Sequence, residues 1–174
     1  MLSPLQNQAD RVEAAGEYDI KAAYVYNFLF FVDWHDEALK PSSAPVSIAI
    51  LGKDPFETRV DSVVGRHVGK AKRPLVISHL GQYKPGLDLQ NPRIIFIAES
   101  EKENLTDILA DIESAKVLTI GDFPGFLESG GMLQFVVEEN RVRWNINRQA
   151  FSDAGLSPSA QLLRNAHYVY TPSK

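Results

Sequence analysis

From Tyr18 to Trp34 aromatic side chains recur three and four positions apart. Tyr24, Phe28 and Phe31 make one row, and Tyr26, Phe30 and Trp34 the row beside it. The spacing predicts a helix with an apolar face wider than a surface helix needs, so it must be covered on more than one side. These aromatics serve a core first; the second reading places Tyr26 or Trp34 in a ligand pocket or an interface. Residues 1–17 are polar and read as a disordered lead-in, ahead of a single domain over residues 18–170.

Val46-Ser-Ile-Ala-Ile-Leu-Gly52 is a short, nearly continuous apolar run of the kind that suits a strand covered on both faces. Asp54 and Pro55 follow as a helix cap and first helical position. Further strands are predicted over residues 74–80, 93–99 and 117–122. Between the last two, Leu105, Ile108, Leu109 and Ile112 stand at helical spacing behind an acidic start at Glu101. From Met132 to Asn147 apolar and polar residues alternate, which is the pattern of a hairpin with one wet face and a turn near Glu139-Asn140. Asn147 is placed to cap the segment starting at Arg148, and Ser157-Pro158-Ser159 opens a last helix running to about Tyr168. The expected architecture is α/β: a single-domain, three-layer Rossmann-like sandwich with a mostly parallel sheet and an antiparallel C-terminal hairpin.

Length and charge narrow the function. At 174 residues and 44% hydrophobic side chains the chain can bury one core. Eighteen basic against twenty-two acidic residues leave no one-sided basic field, so nucleic acid is not expected as a partner. Cysteine is absent, which removes disulfides, thiolate metal sites and a Cys nucleophile from any mechanism. Met1 to Asp10 lack the basic start and apolar stretch of a signal peptide, so an exported protein would carry its signal outside this stretch.

Candidate chemistry is sparse. Gly65-Arg-His-Val-Gly69-Lys70-Ala71 is one residue short of a phosphate-binding loop and has Ala71 where a magnesium-binding hydroxyl belongs, so it reads as a turn between strands. His35, His67, His79 and His167 lack metal-ligand spacing, and no Gly-x-Ser-x-Gly elbow is present. No cofactor and no catalytic residue is expected. A phosphoacceptor receiver would need paired acids after its first strand; Asp122 alone is in a suitable place. The corner Asp122-Phe123-Pro-Gly-Phe126 lies where open α/β sheets hold ligands, beyond the carboxyl ends of strands, although a cap by Asp122 with Phe126 in the core explains it as well. Arg164, after Leu162-Leu163, is free to pair with an acidic partner surface or with a carboxylate of this domain.

Several segments in order resemble the YfiR family of exported proteins. They are Lys21-Ala-Ala-Tyr-Val-Tyr-Asn-Phe28 with Phe31-Val-Asp-Trp34, Ile48-Ala-Ile-Leu-Gly52-Lys-Asp-Pro-Phe56, Val117-Leu-Thr-Ile-Gly-Asp122, Gly125-Phe126, Gly130-Gly131-Met132, Arg143-Trp-Asn-Ile-Asn147 and Leu156-Ser-Pro-Ser-Ala-Gln-Leu-Leu-Arg164. The resemblance implies a periplasmic regulator, commonly a homodimer, that represses an inner-membrane diguanylate cyclase and is relieved by an outer-membrane-associated lipoprotein. Lower cyclic di-GMP and restrained biofilm formation would follow. Ligand or partner contacts are then expected at Asp122, Phe123, Phe126, Tyr26, Trp34 and Arg164, and a small-molecule-binding sensor is the alternative. Family members often carry cysteines, one of them where this chain has Asn91-Pro92-Arg93, so control through a disulfide is impossible here.

Overall fold

The computed structural model describes residues 4–35, 44–113 and 115–173, with side chains described from Gly16 onward. The first helix, α1, spans Pro4–Phe31. It therefore starts inside the stretch whose polarity suggests a disordered lead-in. Between Leu5 and Ala15 that stretch is rich in Ala, Gln, Glu and Leu, good helix formers all, and no Gly or Pro interrupts it. At its other end α1 stops at Phe31 instead of reaching Trp34. The Phe31 carbonyl accepts a hydrogen bond from Ser159 N–H at 2.9 Å, and Val32–Asp33 (β1) leaves the helix to pair antiparallel with Ser157–Pro158 (β9).

The main sheet takes Val46–Leu51 (β2), His67–Val68 (β3), Arg73–Gly81 (β4), Ile94–Ile97 (β5), Leu118–Gly121 (β6), Leu133–Glu138 (β7), Arg141–Asn147 (β8) and Tyr168–Tyr170 (β10). Their order across the sheet is β10-β8-β7-β6-β5-β2-β4-β3. The central five, β4, β2, β5, β6 and β7, run parallel; β3 and β8 run antiparallel to their neighbours β4 and β7, and β10 lies parallel to β8. The chain moves from β2 to β4 on one side, then crosses to β5 on the other, so the winding direction reverses at β2. A crevice is expected at that reversal.

Alternation along the strands sorts the core into two faces. Ile48, Ile50, Ile94, Phe96, Leu118 and Ile120 pack with Val25, Phe28 and Leu29 of α1, while Ala49, Leu51, Ile95 and Ile97 pack with Leu105, Ile108 and Ile112 of Leu105–Ile112 (α2). A sheet between helices on both faces is the three-layer sandwich that the sequence predicts. Asp54 and Pro55 do not open a helix, however. Asp54 Oδ1 accepts from Phe56 N–H at 2.7 Å, and the chain continues through turns to a 3₁₀ segment at Arg59–Val63. Phe56, Val60 and Val63 of this connection are buried in the same core as α1, which already fills that layer. A 3₁₀ segment at Glu99–Asn104 likewise replaces the first turn of the helix expected from Glu101.

The hairpin agrees with its pattern. Glu139 and Asn140 both adopt left-handed backbone, φ 49° and 58°, the turn that matches strand twist when the loop has two residues. Asn147 caps Arg148–Asp153 (α3), its Oδ1 accepting from Ala150 N–H at 3.1 Å, and its Nδ2 donates to Leu127 O at 3.2 Å. The last helix is shorter than its sequence suggests: Ser159 caps Ala160–Arg164 (α4), and the chain then turns into β10.

Between β6 and β7 no helix intervenes, unusually for a parallel crossover. A turn-rich loop tucks Phe126 against the sheet instead. A Cβ on Gly121 or on Gly131 would sit closer than 3.0 Å to the Phe126 ring, so both glycines are there for close approach. Phe126→Ala should cost about 3–5 kcal/mol through the cavity it leaves, and Gly131→Ala about 1–3 kcal/mol through overpacking. In the double variant the costs should be clearly less than additive, because the truncated side chain vacates the room the new methyl needs. Urea unfolding reads the cycle, and strict additivity would show that the ring is not the obstacle.

Asn147→Ala removes both a cap and a buried donor, so it should lower stability by about 2 kcal/mol, against about 1 for a cap alone. Asn147→Asp keeps the cap oxygen but loses the donor to Leu127. A midpoint for Asn147→Asp equal to that of the parent would limit Asn147 to its cap.

Candidate functional site

Three strand ends meet α1 at the reversal of winding. Gly52 to Pro55 leave β2, Ala98 to Ser100 leave β5, and Asp122 ends β6. With Glu17, Tyr18 and Lys21 of α1, residues from these ends enclose a cavity of about 380 Å³. Close packing of the first two ends requires Gly52, at φ 93°: a Cβ there would stand 2.6 Å from Ser100 Oγ and 2.8 Å from Glu101 Cγ. The same Ser100 Oγ accepts from Lys53 N–H at 2.8 Å.

An ion pair closes the inner wall. Lys21 Nζ lies 2.9 Å from Asp122 Oδ2, with only 4% and 7% of the two side chains exposed. Tyr18 Oη donates to the same carboxylate oxygen at 2.8 Å. Lys21 also pairs with Glu17 at 2.5 Å, one helical turn back, and its ammonium lies 4.4 Å from the Tyr18 ring centroid. Lysine is rarely buried to this degree unless paired, and here two carboxylates and a ring face take the place of its water. The Tyr18 phenol is held well above its ordinary value of 10.0, first by burial, then by the charge and hydrogen bond of Asp122, with Glu17 and Glu99 adding to it.

Of the six ligand or partner contacts expected from the sequence, only Asp122 belongs to this cavity. Phe123 and Phe126 are buried on the far face of the sheet, edge to face at 5.4 Å, and their exposure of 1% and 0% makes them core residues. Tyr26 is half-buried, with the Phe30 ring at 5.3 Å and the Arg66 guanidinium at 5.2 Å. Trp34 is buried beside β1, its ring 5.8 Å from the Arg93 guanidinium and its Nε1 without a partner among the described residues. Arg164 is exposed at the end of α4 on a separate groove, and it forms no ion pair with any described residue. Tyr18 and Lys21, which complete the site, belong to no functional motif in the sequence. A signal was available: Lys21 stands on the same stripe as Val25 and Phe28, where a charge has to find a buried partner.

The arrangement limits the chemistry. Asp122 shares its exposed-strand-end position with a phosphoacceptor aspartate, but its carboxylate is already held by a lysine and a phenol and shut from solvent. Elsewhere Asp33 Oδ2, His35 Nδ1, His35 Nε2 and Ser157 Oγ form a chain at 3.3 and 2.6 Å, in the atom order of a serine-hydrolase triad. It lies open, His35 and Asp33 side chains being 54% and 65% exposed, and the residue after Ser157 is proline, which has no N–H to offer an oxyanion. Its role is to fasten β1 to β9. Among the described residues no group of three His, Asp or Glu side chains could hold a metal ion, and no helix is long and apolar enough to cross a membrane.

The fold is thus a doubly wound α/β domain whose crevice groups Tyr18, Lys21 and Asp122 are bonded to one another. The YfiR/HmsC-like family model matches residues 18–167, and the chain belongs to that family. Membership makes it regulatory in kind, within cyclic di-GMP signalling. No protein of curated function matches the sequence. Among solved structures, a conserved domain protein from Vibrio cholerae O1 biovar El Tor is similar, at TM-score 0.51 and 11% identity over 71% of this chain and 54% of the other. An ABC domain in complex with L-Trp from Streptococcus pneumonia gives TM-score 0.49 and 11% identity over 72% of this chain and 55% of that one. The chain thus spans about half the length of either structure. The first likeness supports the α/β fold.

A raised phenol pKa contributes stability that is complete below pH 10.0 and is lost as the pH climbs towards the folded value, because the unfolded chain ionises first. Tyr18→Phe should therefore make stability fall less steeply above pH 10.0. Tyr83, pushed up to about 12 chiefly by its hydrogen bond to Asp111, supplies a remaining slope that the variant keeps. Urea midpoints from neutral to alkaline pH check this, and identical slopes in parent and Tyr18→Phe would refute it.

Proposed function

We propose that this protein is a periplasmic regulator that binds the periplasmic domain of an inner-membrane diguanylate cyclase and represses it, lowering cyclic di-GMP and biofilm formation. The observation that carries the reading is the family match over residues 18–167. A domain without reacting groups can govern an enzyme only by binding one of its conformations more tightly than another. To turn a target from 99% active to 99% inactive, the two affinities must differ by about 10⁴-fold. Release then requires a competitor of similar strength, the role left for an outer-membrane-associated lipoprotein, and a homodimeric repressor would match a two-fold target.

A second reading, a periplasmic small-molecule sensor, is favoured by the cavity of about 380 Å³ at the reversal of winding, where ligands of open α/β sheets lie. A metabolite bound only by the native state must raise the melting temperature, so a thermal-shift screen separates the two.

Deleting the gene should raise cellular cyclic di-GMP, and supplying the protein with a signal peptide should lower it again. The same protein confined to the cytoplasm should fail, because the contact lies beyond the inner membrane. Unchanged cyclic di-GMP in the deletion strain, with folded protein present in the parent periplasm, would overturn the cyclase reading.

A further inference from the structure

A groove of about 740 Å³ lies away from the Asp122 cavity, between α1 and α4 along the free side of β8. One wall is a stripe of α1, with Ile20, Tyr24, Asn27 and Phe31 three and four residues apart, and Ile20 is 47% exposed. Val142 and Trp144 of β8 form the floor. Arg164 on α4 stands beside them, Arg141 and Arg143 alternate with Val142 and Trp144 and so flank the same free edge of β8 from its other face, and the lining holds no acidic residue. None of the three makes an ion pair with a described residue, although the chain as a whole carries a net charge of −4. Glu138, directly across the hairpin from Arg141, is engaged by His167 Nε2 at 3.2 Å, and the remaining excess of positive charge raises the local potential and favours an anionic occupant.

The floor also says what shape that occupant has. Strand β10 covers β8 only from Asn145 to Asn147. The Trp144 carbonyl, turned to this side, accepts from His167 N–H at 2.8 Å. Two residues back, where alternation presents the backbone of Val142 on the same side, no described strand continues the pairing. Asn27 and Gln161 stand on the helix walls, and Asn165 and Asn140 border them, amide groups suited to a peptide backbone. A compact anion would use the arginines but neither the strand edge nor the apolar wall. A second copy joined through this face by a two-fold axis would set arginine against arginine.

We propose that this groove docks an acidic, extended peptide segment of a partner protein, its carboxylates on Arg141, Arg143 and Arg164 and its apolar side chains against Ile20, Tyr24 and Phe31. The inference stands on the groove and does not depend on the cyclase reading. The test is selection from a displayed library of random twelve-residue peptides on the full chain, followed by anisotropy titration of the peptides recovered. Selected sequences should be rich in Asp and Glu interleaved with apolar residues. Their affinity should fall at least about tenfold for the Arg141→Glu/Arg143→Glu/Arg164→Glu variant. The fall should be slight for Lys70→Glu/Lys72→Glu/Lys84→Glu, which makes the same charge change at exposed positions elsewhere. Arg143→Gln alone, a milder change, should weaken binding in the same direction if the triple variant melts early. Neutral or basic selected peptides, or equal affinity for the two triple variants, would overturn the proposal. So would displacement of every selected peptide by citrate, which would mark a site for small anions, or loss of a dimer in the arginine variant by sedimentation, which would mark a self-contact.

Discussion

The packing of α1 on the sheet depends on how a buried lysine is satisfied. Lys21 sits on the apolar stripe of the helix that packs on one face of the sheet, where a buried ammonium needs a carboxylate in reach. Asp122 supplies one from the end of β6, while Glu17 completes the shell from the helix itself. Apolar contacts alone would let α1 slide along the sheet with little change in buried area. A charge-assisted bond to one oxygen of one strand end allows a single register, and Tyr18 on that oxygen narrows it further.

That fastening also decides what the crevice is. In doubly wound folds the strand ends at the reversal of winding supply free polar groups to a ligand. Here they are turned on the molecule's own first helix, and the cavity left beside them is lined by Lys53, Glu99 and Ser100 at its mouth. The family to which the chain belongs is regulatory, and a second groove, bordered by arginines, lies along α1 beside β8.

How far the sequence reveals this structure varies with the range of the interactions involved. Strands β2, β5 and β6 and the hairpin were readable because their side-chain alternation or continuous apolarity reflects burial directly. The connection after Asp54 was not, because its cap and proline obey local rules while α1 occupies the space a helix would need. Trp34 continues a helical spacing, yet the pairing of β1 with β9, Val32 with Pro158 and Asp33 with Ser157, 126 and 124 positions apart, ends the helix before it. The fault for β10 was similar: Tyr168–Tyr170 gains its strand only from β8 beside it. Of the site, Asp122 was legible from its place after a strand. Tyr18 and Lys21 were legible only as an oddity, a charge on an apolar stripe, whose partner lay 101 residues away.

The margins of the sheet have a consequence for life in a crowded compartment. An eight-stranded sheet offers two edges, and a long, flat edge is a template on which other chains can build fibrils. Here the outermost strands are His67–Val68 at one side and Tyr168–Tyr170 at the other, two residues and three. Arg66, Lys70 and Lys72 crowd the first with positive charge. Strands this short give an incoming chain few ladder bonds of their own, and they leave the far parts of β4 and β8 as the stretches of edge on which another chain could pair.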